Sequence, residues 1–212
     1  MTTTTGWPEP TAPVQPAPGW WRRNRWALAA LPVALALALV AAGDRVRTLW
    51  WEKDLRVPTT AEAGATVGFE QRVYDGAGGT MPIDVQVRLD GVRTATTLPE
   101  DMELPTGTRA VQVDLTLSAD PDVVLAGCFL AVRDAAGTRY GYVASGWGAL
   151  QSAMPCVPEG SPGPWAFADP DAPARPGTWS VSPVVVVPEG VEVADVALWW
   201  QMPRYVLLEA PS

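Results

Sequence analysis

Residues 83–90 read IDVQVRLD, and every second residue in this stretch is a bulky aliphatic one. The aliphatic residues are Ile83, Val85, Val87 and Leu89. Successive side chains of a β-strand point to opposite faces of a sheet, so this alternation predicts a strand with one buried and one solvent-facing side. Residues 111–117, VQVDLTL, repeat the pattern. The two stretches therefore predict a sheet that covers a hydrophobic core on one face.

Six further stretches have the composition of strands: residues 66–74, 123–132, 139–144, 179–187, 193–200 and 204–208. Turns rich in Gly, Pro and Asp separate them, and the chain contains 22 Pro and 19 Gly among its 212 residues. That composition favours short strands over long helices. We expect a mainly β chain, with an immunoglobulin-like antiparallel β-sandwich over residues 63–212.

The alternation also assigns two adjacent tryptophans to different faces. Trp200 shares a face with Val196 and Leu198, whereas Trp199 shares the opposite face with Ala197. We therefore expect Trp200 in the core and Trp199 on the outer side of its sheet or near an edge.

A long apolar stretch precedes the sandwich. Residues 26–42, WALAALPVALALALVAA, carry no charge and are interrupted only by Pro32. A helix needs about 20 mostly apolar residues to cross the hydrocarbon core of a membrane. Tryptophan pairs at positions 20–21 and 50–51 flank the stretch, and such rings favour the membrane interface. Residues 20–51 are thus predicted to form one transmembrane helix with its flanks, in contact with membrane lipid, and residues 52–62 a linker.

Basic residues do not orient this helix, since three Arg precede the apolar stretch and four basic residues follow it closely. Residues 1–19 are rich in Pro and Thr, which predicts a disordered tail. The C-terminal domain holds both cysteines, which suit an oxidising compartment. We expect a cell-membrane protein with a cytoplasmic N-terminus and an extracytoplasmic C-terminal domain. The alternative is a secreted β domain after signal cleavage near Ala42, where small residues suit a signal peptidase.

The two cysteines, Cys128 and Cys156, are predicted to form a disulfide bond. Free thiols or a metal-binding pair are the alternatives, but a zinc site lacks its usual ligands in a chain with no histidine and no third cysteine. In the chain-entropy model a disulfide across this loop stabilises the fold by about 3.5 kcal/mol, mainly by restricting the unfolded chain.

Charge and composition argue against several functions. The residues from Val57 onward carry eight Arg and nineteen acidic side chains, a net charge of −11, and such a surface repels nucleic acid. The absence of histidine removes the commonest general base and metal ligand. The Asp-Pro-Asp sequences at 120–122 and 169–171 favour turns over a calcium site. We predict no catalytic residue, no metal site and no cofactor, and hence a non-enzymatic protein.

The connection at residues 145–178 is much longer than most loops and is rich in Pro and Gly. It contains Trp147, Trp165 and Phe167, and a disulfide at Cys156 would fix its middle to the strand at Cys128. Exposed aromatic rings on a fixed loop suit the binding of a partner protein or a glycan. The alternative is that these rings fold back and cap the sandwich.

Three further features follow one another in a characteristic order. Residues 108–125 read TRAVQVDLTLSADPDVVL, then Asp134, Gly137 and Tyr140 form a D-x-x-G-x-x-Y pattern, and Pro176-Gly177 precedes an apolar strand that ends in Val187-Pro188. This order resembles telokin-like immunoglobulin-type domains, which occur outside the membrane in actinobacterial and firmicute membrane proteins and lipoproteins. The resemblance covers about residues 83–208. It implies a β-sandwich outside the membrane and no general biochemical activity.

We therefore expect a single-pass membrane protein whose extracytoplasmic sandwich is a non-enzymatic binding or accessory module of the cell envelope, with an envelope protein as the partner class and the ligand unknown. One alternative is a structural subunit of a membrane complex that makes its contacts through the helix. The other is a hydrolase, which requires converging carboxylates in a cleft.

Overall fold

The computed structural model describes residues 19–98, 103–142, 154–164 and 171–211. The chain divides into two units, Met1–Arg47 and Thr48–Ser212. In the first unit, α1 spans Trp20–Val46, and a short π-helical segment, Arg47–Trp51, follows it. Within Trp20–Gly43, an 18-residue window has a mean hydropathy of 2.2 and no buried residue, and the segment is long and apolar enough to cross a membrane. A signal sequence near an N-terminus has the same properties.

The second unit is a sandwich of two five-stranded sheets. Sheet 1 has the strand order β1-β10-β9-β5-β6, and sheet 2 has the order β2-β3-β4-β7, with β8 also paired to β4. The strands are β1 Val57–Ala61, β2 Thr66–Tyr74, β3 Thr80–Thr94, β4 Thr108–Ser118, β5 Phe129–Arg133, β6 Arg139–Gly141, β7 Thr178–Val181, β8 Val184–Pro188, β9 Asp195–Trp199 and β10 Arg204–Glu209. The predicted β-sandwich with an N-terminal apolar helix is confirmed.

The core lies between the inner faces of the two sheets and follows the predicted alternation. On sheet 2, the four aliphatic residues of the 83–90 stretch are at most 1% exposed. On sheet 1, Leu130, Val196 and Leu198 are at most 2% exposed. Burying one such side chain contributes roughly 1.5–3 kcal/mol. Trp200 lies in this core, stacks on Phe69 at 5.7 Å between ring centroids, and donates its Nε1–H to the carbonyl of Leu125 at 3.0 Å.

The structure corrects the predicted linker at residues 52–62. Residues 57–61 form β1, which pairs with β10 from Val57↔Arg204 to Ala61↔Leu208. This pair is parallel, so the sandwich is not wholly antiparallel as predicted. The second unit begins at Thr48 rather than at residue 63. The sequence VPTTA of β1 lacks an alternating apolar pattern, because this edge strand is held largely by backbone pairing.

Two predicted strands also change their limits. The predicted strand 123–132 begins only at Phe129, because turns occupy the residues before it and Gly127 has a φ of 83°. The predicted strand 179–187 divides into β7 and β8, which pair with successive parts of β4. The division falls at Ser182-Pro183, where the Pro183 carbonyl accepts a hydrogen bond from the N–H of Val113 at 2.9 Å.

Candidate binding face

An aromatic pair stands on the outer face of sheet 1. Phe129 of β5 lies directly opposite Trp199 of β9, with ring centroids 5.6 Å apart and ring planes 14° from parallel. The adjacent Leu130 and Leu198 point into the core, so the pair points away from it. Phe129 is 53% exposed. The outer position predicted for Trp199 is confirmed. Trp199 is half-buried and stacks on the exposed ring of Phe129.

The character of this outer face changes along the strands. Next to the aromatic pair lie Ala131 and Ala197, which are opposite each other and buried. Beyond them, the guanidinium of Arg133 contacts the carboxylate of Asp195 at 3.0 Å. Burial raises the pKa of Asp195, and the charge of Arg133 opposes that rise. Along the strands, the outer face therefore carries first an aromatic pair, then two small buried residues, and then an ion pair.

The segment that leads into β1, residues 48–56, is here called the tether. The N–H groups of Arg56 and Val57 both donate to the carbonyl of Pro203, at 2.9 and 3.0 Å. The carboxylate of Asp54 accepts a hydrogen bond from Arg139 of β6 at 2.7 Å. Arg139 pairs with Arg133 and therefore lies on the outer face. Because β1 and β6 are opposite edges of sheet 1, this contact places the tether over that face.

The tether is also ordered internally by a cluster of one cation and two rings. The guanidinium of Arg56 lies 4.4 Å from the ring centroid of Trp50 and 5.1 Å from that of Trp51, and it donates to the Trp50 carbonyl at 3.3 Å. Cation–π contacts of this kind contribute about 0.5–1 kcal/mol at exposed sites. Trp50 remains 62% exposed and Trp51 45% exposed. The tether thus presents two further aromatic rings to its surroundings.

The predicted disulfide is present between Cys128 and Cys156, with the Cα atoms 6.0 Å apart. Cys156 is completely buried. Its carbonyl accepts a hydrogen bond from Nε1 of Trp179 at 3.0 Å. The middle of the long connection is therefore fixed at two points, one on β5 through the disulfide and one on β7 through Trp179.

A buried arginine holds the neighbouring turns to this loop. Arg175 is 1% exposed and stacks over Trp179 at 4.8 Å. It donates to the carbonyls of Asp120 and Val123, each at 2.8 Å, and of Pro162 at 3.4 Å. Burial lowers the pKa of Arg175, and the nearby Asp120 charge opposes this effect. The arginine thus links its own segment to two others, the turn at residues 120–123 and the segment at Pro162, through three carbonyl groups.

Trp147, Trp165 and Phe167, the predicted partner-binding residues, lie outside the described residues. Their role in binding stays a prediction. The structure does show how Cys156, between them in sequence, is fixed. Phe129 was not predicted as a functional residue, because its predicted strand began several residues too early. The sequence did hold a signal for Phe129. It directly precedes the core residue Leu130, so the alternation of a strand places its ring on the outer face.

A polar cavity of about 390 Å³ opens on the outer face of sheet 2. It forms where a β-bulge between Leu89 and Gly91 lies beside the step from β7 to β8. The carboxylate of Asp114 accepts hydrogen bonds from Gln112 and Ser182, both at 2.7 Å, and pairs with Arg93 at 2.9 Å.

The second carboxylate of the cavity, Asp90, is bonded in the same way. It contacts Arg88 and Thr116, each at 2.6 Å. These carboxylates therefore serve to hold the outer face of the sheet together. Within the described parts of the chain, no group of three or more His, Cys, Asp or Glu residues is placed to hold a metal ion. Asp120 accepts the N–H of Asp122 at 2.9 Å, as expected for a turn.

No family model matches this chain, and no curated protein matches it. Among solved structures, the chain is similar to MPT63, a secreted protein from Mycobacterium tuberculosis. The two share 15% sequence identity with a TM-score of 0.39, and the match covers 72% of this chain and 97% of that one.

Proposed function

We propose that this chain is a single-pass membrane protein whose β-sandwich acts outside the cytoplasm as a non-enzymatic binding or accessory module of the cell envelope. The observation that carries the proposal is the direct succession of an apolar, unburied helix and a sandwich that begins at Thr48. The resemblance to telokin-like domains of membrane-anchored proteins supports the same placement.

The apolar helix supports an anchor because it is long and apolar enough to cross a membrane. Its large side chains are exposed, for example Leu35 at 59% and Val40 at 82%. An apolar surface of this extent is stable in lipid rather than in water. Retention of the helix gives an anchored protein, and signal cleavage near Ala42 gives a secreted one.

The disulfide supports a position outside the cytoplasm. Disulfides form and persist in oxidising compartments, and the cytosol keeps most thiols reduced. Cys156 of this disulfide also accepts a hydrogen bond from Trp179 through its backbone carbonyl. The disulfide is therefore part of the ordered portion of the loop. This favours a cytoplasmic N-terminus and an extracytoplasmic sandwich.

The outer faces of the sheets support binding rather than catalysis. The carboxylates of the polar cavity are used in bonds within sheet 2. The outer face of sheet 1 instead carries the exposed ring of Phe129, stacked on the half-buried ring of Trp199. Aromatic rings in exposed positions are typical of contact surfaces.

The test is to express the full chain with a C-terminal tag in a bacterial host and to separate the membranes. We expect the chain to stay in the membranes after alkaline washing, with an intact mass that includes residues 1–42. Protease added to intact spheroplasts should remove the tag. A mature chain that begins near Gly43 and leaves the membranes would show a secreted protein instead, and a tag protected until lysis would contradict the orientation.

A further inference from the structure

We propose that the outer face of sheet 1 rests on the lipid interface of the membrane, with Phe129 and Trp199 as the rings that enter it. This inference rests on the proposed anchoring and adds to it a lipid-binding surface on the folded domain. The helix alone does not imply such a surface, because an anchored domain can also project away from the bilayer.

The first step is the path of the tether. Asp54 follows Gly43, the end of the apolar segment, by eleven positions, and eleven residues reach at most about 40 Å even when extended. Residues 47–51 are helical, which shortens that reach. The tether is bonded to Arg139 and to the Pro203 carbonyl. The tether therefore enters the sandwich over the outer face of sheet 1, and its length limits the distance of this face from the bilayer.

The second step is the chemistry of the face. Trp and Tyr rings favour the boundary between headgroups and acyl chains, where one side is apolar and the other is wet. Phe, like Trp, is typical of the apolar side of elements that lie in this boundary. On the face that the tether crosses, Phe129 is exposed and the half-buried Trp199 stacks on it, and the tether itself exposes Trp50 and Trp51. The described residues on the outer face of sheet 2 include one exposed ring, Tyr74, and no Trp or Phe. The larger group of exposed rings is thus on the side of the sandwich that the tether crosses.

The third step is charge. Residues 48–212 have a net charge of −11, which anionic headgroups would repel. The tether and the outer face of sheet 1 together carry four basic side chains, Lys53, Arg56, Arg133 and Arg139, and four acidic ones at positions 52, 54, 195 and 209. This face is therefore neutral, and the net charge lies elsewhere on the domain. A neutral aromatic face can approach a bilayer without the electrostatic cost that the domain's net charge would impose.

Two exposed strand glycines offer a matched pair of labelling sites. Gly141 of β6 pairs with Ala131 and so faces outward on sheet 1, and Gly68 of β2 pairs with Gln86 and faces outward on sheet 2. A Cβ at either position would meet no atom within 4 Å, and neither glycine needs a positive φ. Both native cysteines are in the disulfide, so Gly141→Cys or Gly68→Cys adds one free thiol to the chain.

The experiment reconstitutes each full-length variant, labelled with an environment-sensitive fluorophore, into phosphatidylcholine vesicles with and without a lipid that carries a nitroxide just below the headgroup. We expect the nitroxide lipid to quench the label at position 141 at least threefold more than the label at position 68. Equal quenching at the two positions would overturn the proposal, as would quenching at 68 alone.

A second arm tests the rings themselves. Phe129→Ser with Trp199→Ser, added to Gly141→Cys, should reduce quenching at 141 to the level seen at 68, with far-UV circular dichroism confirming the fold. Unchanged quenching at position 141 would show that Phe129 and Trp199 do not contribute to the contact with lipid. If the double variant does not fold, Phe129→Ser alone is used, and the comparison of positions 141 and 68 in the native background still decides the proposal.

The same vesicles separate this inference from the proposed function. Alkaline washing measures anchoring, and nitroxide quenching measures contact of the face. A chain that stays in the vesicles without quenching at 141 contradicts only the lipid contact, for example because the face binds a protein partner. A chain that washes out contradicts the anchor itself.

Discussion

The carboxylate of Asp54 and the guanidinium of Arg139 meet at 2.7 Å, although β1, which Asp54 precedes, and β6, which contains Arg139, lie at opposite edges of sheet 1. The contact makes the tether part of the folded domain. An isolated exposed pair of this kind contributes little to global stability, about 0.5 kcal/mol. Its effect should therefore appear in local opening of the tether rather than in unfolding of the sandwich.

Arg139→Gln should speed tryptic cleavage at Lys53 several-fold, because the freed tether opens more often. The melting temperature should change by no more than about 2 °C, since both side chains of the pair are about 40% exposed. Mass spectrometry of timed digests measures the rate. Arg88→Gln breaks the comparable Arg88–Asp90 pair on sheet 2 and should leave cleavage at Lys53 unchanged. Equal rates for the native chain and Arg139→Gln would show that the pair does not hold the tether.

Two hairpins use the same turn chemistry. Asp75 accepts the N–H groups of Ala77 and Gly79 at 2.8 and 2.9 Å, and Asp134 accepts those of Ala136 and Thr138 at 3.0 and 2.8 Å. In each turn the fourth residue is a glycine with a positive φ, 98° at Gly78 and 84° at Gly137. The Tyr140 hydroxyl reaches Asp134 at 3.3 Å. The D-x-x-G-x-x-Y pattern of the sequence thus forms a turn in which the tyrosine hydroxyl hydrogen-bonds to the aspartate.

These turns predict how stability depends on pH. Backbone hydrogen bonds, from Ala77 to Asp75 and from Thr138 to Asp134, are the largest cause that lowers the pKa of each carboxyl. A lowered pKa in the folded state adds stability that is fully present above the ordinary carboxyl pKa of about 3.8 and is lost as pH falls through the folded value.

Asp75→Asn with Asp134→Asn should therefore flatten the loss of stability below about pH 4. Urea unfolding of the native chain and of this variant at several pH values measures the slope. Glu62→Gln with Glu70→Gln, both at exposed positions, provides a matched loss of two charges and should leave the slope as in the native chain. A native-like slope in the double variant would contradict the assignment.

Local patterns in the sequence predicted the parts of the fold that depend on one strand at a time. The alternation in β3 and β4 determined which side chains form the core, and the phase of β9 separated Trp200 from Trp199. Edge strand β1 escaped prediction because its parallel pairing with β10 is made by backbone groups, which leave no periodic side-chain signal.

Contacts between distant strands could not be predicted from local patterns. The stacking of Phe129 on Trp199 depends on the register between β5 and β9, and the contact between Asp54 and Arg139 joins residues 85 positions apart. In both pairs, the sequence around one residue gives no indication of which distant residue it contacts. The candidate binding face depends on such contacts. Sequence patterns therefore predicted the outer position of Trp199 but not the surface that it forms with Phe129.

The packing of Arg175 against Gly163 can be tested with two glycines. Both Gly160 and Gly163 have a positive φ, 76° and 83°, so alanine at either position costs about 1–2 kcal/mol of backbone strain. Only at Gly163 would the new Cβ lie 2.8 Å from the Arg175 side chain, whereas the space at Gly160 is open. Gly163→Ala should lower the free energy of unfolding by at least 1 kcal/mol more than Gly160→Ala in urea titrations. Equal losses would show that Arg175 is free to move aside.

Trp179 should be sensitive to loss of its ring N–H alone. Trp179→Phe keeps an aromatic ring beneath Arg175 but leaves the buried Cys156 carbonyl without its donor. An unsatisfied buried acceptor costs about 1–3 kcal/mol. We expect a loss in that range from urea unfolding, against a smaller loss for Trp199→Phe, whose ring lies on the outer face. A reversed order would contradict the role of Trp179 as the second fixing point of the loop.

The disulfide should act on the same loop but mainly through the unfolded state. Cys128 and Cys156 are 28 positions apart, and removing a crosslink across such a loop costs about 3.5 kcal/mol in the chain-entropy model. Cys128→Ser with Cys156→Ser should therefore lower the free energy of unfolding by about that amount. The sulfur at position 156 is completely buried, so a serine hydroxyl there adds a polar penalty, and Cys128→Ala with Cys156→Ala should be less harmful. Reduction of the native chain in urea provides the control without any substitution. If the alanine variant unfolds at the same urea concentration as the oxidised native chain, Trp179 and Arg175 alone hold the loop, and the bond contributes nothing to stability.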